Sequence, residues 1–96
     1  MTGLIFEWDT EKNRINKKIH GISFETALLV FNDYDRIEIY DQEHSEYEDR
    51  YSTIGLVDDV IFVVYTERKD VIRIISARMA TREERRIYYD KESYFR

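Results

Sequence analysis

Between residues 60 and 86 the chain alternates long apolar runs with isolated charges. Val60, Ile61, Phe62, Val63, Val64, Tyr65 and Thr66 are β-branched, aromatic or apolar, which predicts a strand buried at the centre of a sheet. Glu67, Arg68, Lys69 and Asp70 make a charged turn, and a second strand is predicted over residues 71–78. Thr81, Arg82, Glu83 and Glu84 then have the spacing of a capping box and open a last helix. Arg73 and Arg78 fall inside the second strand. An unpaired buried charge is costly, so each must reach solvent, a partner or a ligand. On an unbroken strand the two point to opposite faces, so both serve one site only if the strand ends or bulges near Ala77.

Upstream, Leu4, Ile5, Phe6 and Trp8 predict a short first strand, and Asp9 or Thr10 caps a helix that runs to His20. Ile15 and Ile19 give that helix a narrow apolar stripe, and Gly21 stands where a left-handed stop belongs. Ser23 caps a second helix, with Phe24, Ala27, Leu28 and Phe31 on one face. A turn at residues 32–35 leads to a half-buried strand over 36–41, a loop over 42–47, a third sheet segment over 48–56 and a turn at Asp58 and Asp59. Residues 91–96 read as a fraying tail. The order β-α-α-β-β-β-β-α without a linker predicts one domain over residues 1–96. Its class is α+β, an antiparallel sheet with helices on one face.

Composition removes several chemistries. The 96 residues include no cysteine, only three glycines and two well-separated histidines. This leaves no disulfide framework, thiolate metal site, glycine-rich phosphate loop or G-x-S-x-G elbow, so neither a metal nor another cofactor is expected. No run approaches the roughly 20 apolar residues of a membrane span and the first residues lack a signal-peptide pattern, which predicts a cytoplasmic protein with a mature start near Met1 and no membrane partner. The net charge of −5 is uneven: residues 1–31 are neutral, 32–59 carry −8 and 60–96 carry +3. One face can therefore meet an anion and another a basic partner, and an ordinary solvated surface gives the same counts.

The chemistry left is that of arginines with a few acid or base candidates. RNA can be cleaved without a metal when its 2′-hydroxyl attacks the adjacent phosphate, since the nucleophile belongs to the substrate. A protein must then accept the 2′ proton, stabilise the charge on the phosphorane and serve the leaving 5′ oxygen. Arginine suits the middle task because its planar fork binds two phosphate oxygens. Arg50, Arg68, Arg73 and Arg78 lie on or beside predicted strands, and the plain alternative pairs them with Glu48, Glu38 or Glu67 across neighbouring strands. His20 reads either as a proton-transfer group or as a helix C-terminal cap. Lys12 reads as a phosphate contact or a solvated helix lysine, and Tyr88 and Tyr89 as base-stacking rings or core. Asp9, Asn16 and Ser76 remain open between site and scaffold.

Several stretches together resemble the BrnT toxin family: Phe6-Glu7-Trp8-Asp9 followed by Lys12 and Asn16; His20 to Glu25 with Ala27 and Phe31; His44-Ser45-Glu46 with Glu48, Arg50 and Gly55; and Val64 to Arg68 leading into Ile72 to Arg78. Ile19 departs from the family pattern, in which a basic residue usually precedes the His-Gly pair. The resemblance implies a compact RelE-like fold and a ribonuclease activity that halts translation, with the ribosome's part in it left open. It also implies neutralisation by a ribbon-helix-helix antitoxin of the BrnA type, with operator DNA bound only through that antitoxin. It points to Lys12, His20, Glu48, Arg50, Arg68, Arg73 and Arg78 as site residues. The chemistry set out above then gives Glu48, Arg50, Arg78 and His20 as catalytic candidates, with Glu48 or His20 handling the proton and Arg50 and Arg78 holding the phosphate, and Lys12, Arg68, Arg73 and Tyr88 as substrate-binding candidates. The rival readings are a gyrase-poisoning toxin of the same superfold and a binding module without catalysis.

Overall fold

Asp9 accepts a hydrogen bond from the Lys12 amide and Gly21 takes φ 76°, so the first helix starts and stops where the capping residues require. The computed structural model describes residues 3–90, and the predicted tail at 91–96 lies outside them. The elements run β1 (Ile5–Glu7), α1 (Thr10–His20), α2 (Phe24–Ala27), a 3-10 segment (Leu28–Asn32), β2 (Ile37–Tyr40), β3 (Arg50–Val57), β4 (Asp59–Arg68), β5 (Val71–Met79) and α3 (Arg82–Tyr89). The second helix is thus one α turn that tightens into 3-10. With three residues per turn, Val30 joins Phe24, Ala27 and Phe31 in the core in place of Leu28, which is only partly buried.

The sheet is five-stranded in the order β1-β5-β4-β3-β2. β2 to β5 form an antiparallel meander, but β1 pairs parallel with β5, setting Phe6 beside Ile72 and Glu7 beside Arg73. The all-antiparallel expectation is corrected to a mixed sheet. A three-residue strand carries no mark of its direction, which here is set by the helices that carry the chain from β1 to the far edge.

The helices also divide between the two faces. α2 and the 3-10 segment bury Phe24, Ala27, Val30 and Phe31 against Ile61, Val63, Tyr65, Ile72, Ile74 and Ala77. α3 packs on the opposite face, with Tyr88 against Ile37, Ile54 and Val60 and with Phe62 and Ile87 beside them. The expectation of helices on one face fails because the first face is already filled when the chain reaches Thr81. Between Val64 and Tyr65 the ladder to β5 slips: Val64 faces Ser76, Tyr65 faces Ile74, and Ile75 is the extra residue of a bulge. The slip sends both Ile74 and Ala77 into the first core and turns both Arg73 and Arg78 to the second face.

Candidate active site

Register places the charged side chains of the second face in rows. Glu7, Arg73, Thr66 and Arg50 are successive partners across β1, β5, β4 and β3. Asp41 extends this row, because its amide donates to the Arg50 carbonyl at 2.8 Å just past the last pair of β2 and β3. The next row holds Ser76, Val64, Ser52 and Ile39, and the one after it Arg78, Phe62, Ile54 and Ile37. α3 covers only the last of these. Toward the Arg50 row no helix of the described residues packs over the face.

Carboxylates engage three of the four sheet arginines. Arg68 grips Glu48 through Nε (2.8 Å) and Nη2 (3.2 Å), and Arg73 reaches Glu7 at 3.1 Å. Arg78 lies over the Phe62 ring, 4.1 Å from its centroid, with its fork on both Glu84 oxygens at 2.8 and 3.0 Å. Among the described residues Arg50 alone of the four has no carboxylate within ion-pair distance, and its Nε is buried without a hydrogen-bond partner, as is Thr66 Oγ1 directly opposite. Buried polar groups left unpaired each cost about 1–3 kcal/mol; Arg36 Nε and Thr53 Oγ1 are unpaired in the same way, and what distinguishes Arg50 is its place on the uncovered face. Arg68's hydrogen bonds hold the Glu48 carboxyl below the usual carboxylate range, with smaller pulls from Arg50 and Arg73. A carboxylate so held is a weak proton acceptor.

The loop after β2 is fastened to the same row. The Ser45 hydroxyl donates to the Asp41 carbonyl at 2.6 Å and accepts from the Arg50 amide at 2.9 Å, tying both ends of the loop together. Between them Asp41 receives the His44 amide at 3.3 Å and His44 Nδ1 at 2.9 Å. An ionised carboxylate only accepts, so Nδ1 carries the hydrogen and Nε2 stays available. His44 lines a hollow with Ile39, Asp41, Glu43, Ser52 and Phe62. Sequence reasoning set His44 aside as an isolated histidine. Its signal was Asp41-x-x-His44 at the exit of a strand, the spacing at which a carboxylate turns back to hold an imidazole.

The remaining predicted residues lie elsewhere. Lys12 and His20 line a separate hollow with Ile15, Ile19 and Ile75, where α1 meets the edge of β5. The N-terminus of α1 adjoins the Arg73 end of the row: Asp9 is held below its ordinary range first by the Lys12 amide that it caps, and in lesser part by Arg73. Tyr88 is 5% exposed and donates to Asp33, so its ring has no face for a base, whereas Tyr89 is exposed. Asn16 belongs to the scaffold. Buried, it donates to the Ala77 and Ile22 carbonyls at 2.7 and 2.9 Å and accepts from the Ala77 amide at 3.2 Å, completing the β5 edge beyond β1.

Three comparisons bear on this geometry. A family model described as a ribonuclease toxin, BrnT, of type II toxin-antitoxin system matches residues 8–84. A crystal structure of the Brucella abortus ribonuclease toxin BrnT superposes with a TM-score of 0.67 at 24% identity, over 82% of this chain and 99% of that one, a likeness of fold. No curated protein matches the chain.

Proposed function

The chain belongs to the BrnT family of ribonuclease toxins of type II toxin-antitoxin systems, and from that premise we propose that it is an endoribonuclease that holds RNA on the uncovered sheet face around Arg50. The observation that carries this reading is the arginine row: Arg50 stands near Arg73 and Arg68 on neighbouring strands and, among the described residues, has no carboxylate within ion-pair distance. An anion arriving there meets a guanidinium that only the longer-range pull of Glu48 engages among the described residues, while Arg73 and Arg68 already have ion-pair partners and add a longer-range field. Arg50 takes the scissile phosphate and stabilises the added negative charge as the 2′ oxygen attacks. The bulge at Ile75 supports a part for Arg78, since it brings that arginine to the same face. With its fork on Glu84, Arg78 lines the edge of the substrate groove rather than sharing the central phosphate.

The toxin acts in the cytoplasm, arrests translation in the manner of RelE-like toxins and leaves a 2′,3′-cyclic phosphate. Its antitoxin, a ribbon-helix-helix protein of the BrnA type, neutralises it by laying an acidic or amphipathic helix over the arginine face, and operator DNA is reached only through that partner.

The test is cleavage of end-labelled RNA by antitoxin-free protein in EDTA, alone and with translating ribosomes. We expect products ending in cyclic phosphate and a loss of about 100-fold or more for Arg50→Ala, the scale set by removing one transition-state donor. An Arg50→Ala protein that folds and cleaves at the wild-type rate would overturn the assignment. DNA damage with RNA left intact would favour the gyrase-poisoning alternative.

A further inference from the structure

The arginine face stabilises charge but does not by itself move a proton, and neither residue expected to do so is well placed. Glu48 is spent on Arg68, and His20 lies in the α1 hollow. We propose that His44 is the general base of this site and that Asp41 is its positioning residue. The inference rests on the ribonuclease reading above.

Three observations support it. First, the Asp41 carboxylate fixes Nδ1 as the protonated nitrogen at 2.9 Å, which leaves the Nε2 lone pair for substrate. Second, the loop is anchored to the residue assigned the phosphate, because Asp41 N–H meets the Arg50 carbonyl and Ser45 bridges Asp41 to the Arg50 amide. The imidazole and the guanidinium are thus carried on backbone that cannot part without breaking these bonds. Third, the hollow that His44 lines has apolar walls in Ile39 and Phe62 and a polar floor at Ser52, suiting a sugar and base next to the phosphate. The titratable groups sharing that hollow with His44 are Tyr40, Asp41 and Glu43; β3 and β4 contribute Ser52 and Phe62, which carry no charge.

In the step, His44 Nε2 takes the 2′-hydroxyl proton, O2′ bonds to phosphorus and the bond from phosphorus to O5′ breaks. The departing oxygen takes a proton from solvent water, and the imidazolium returns its own proton to the hydroxide so formed. Protons balance and no oxidant, reductant or other co-reactant is needed.

The experiment measures single-turnover RNA cleavage by the wild type, His44→Ala, His44→Gln and Asp41→Asn, with thermal melts confirming that each variant folds. His44→Ala should lose about 100-fold or more and regain rate with added imidazole, in proportion to the free base. His44→Gln keeps a donor for Asp41 without a titrating nitrogen and should stay as slow as the alanine variant. The acid limb of the wild-type rate profile should vanish in both. Asp41→Asn should lower kcat with little change in KM, because the ring loses the acceptor that holds it in place. Wild-type rates in His44→Ala, full activity in His44→Gln, or loss without imidazole rescue would each overturn the proposal while leaving the ribonuclease reading intact. Absence of RNA cleavage by the wild type, with or without ribosomes, would instead remove the premise.

Discussion

At the scale of single residues, what separates the sheet arginines is where their charge is already spent. Arg68, Arg73 and Arg78 each have a carboxylate, so removing any of them also strands an acid and damages the local network. Arg50 has no ion-pair partner among the described residues, so its deletion reads more directly on substrate. Asn16 shows the opposite kind of residue, polar and buried but wholly absorbed by structure. Asn16→Ala removes a donor to two carbonyls and the acceptor for the Ala77 amide, and leaves those backbone groups unpaired at the β5 edge. It should cost about 2–4 kcal/mol, a few unsatisfied groups at once, read as a lowered midpoint in urea, while an Arg50→Ala protein melts close to the wild type.

At the scale of elements, the pattern along the chain was informative wherever local chemistry decides the outcome. Asp9, Gly21, Ser23 and the Thr81 to Glu84 box cap helices as their residue types require. The central hairpin follows from its apolar runs. What the pattern did not show depends on partners distant in sequence. The parallel direction of β1 and the placing of α3 on the second face are set by which sites on the sheet are already filled. Parity along β5 stated the condition for Arg73 and Arg78 to share a face, and the bulge at Ile75 meets it. No residue type announces that slip. The pairing of Arg50 was equally out of reach: counting charges offers it Glu48, and the fold gives Glu48 to Arg68. His44 needed the turn that brings Asp41 beneath it.

At the scale of the whole molecule, the acidic net charge and the arginine face are compatible because the acids on that face are paired. Register places Arg50, Arg68, Arg73 and Arg78 on one face of the sheet, where Glu48, Glu7 and Glu84 pair with the last three, while Glu38 reaches Tyr65 on the other. The same pairings set the pH range of the fold. Glu84, 18% exposed in its side chain, sits below its usual range because the hydrogen bonds of Arg78 and Thr81 outweigh a larger single penalty from burial. Glu48 and Asp59 are lowered by their arginines. Groups lowered in the folded state contribute stability above their unfolded value near pH 4, and lose it as pH falls through the folded values. Tyr65 and Tyr88 are raised, first by burial and then by Glu38 and Asp33. Their contribution is whole below the ordinary tyrosine value near pH 10 and declines as pH rises beyond it. The melting temperature should therefore be flat from about pH 5 to 9 and fall on both sides; a steady slope across that window would contradict these pairings.

The central claim is that the uncovered sheet face is where RNA lies. It is tested most directly by mapping amide chemical shifts while a 2′-O-methylated RNA oligonucleotide, which cannot cleave itself, is titrated into the antitoxin-free protein. The account predicts shifts concentrated at Asp41, His44, Arg50, Ser52, Thr66 and Arg73, and weakened throughout in Arg50→Ala. Shifts confined to Lys12, Ile19, His20 and Ile75 would place the substrate in the α1 hollow and contradict it.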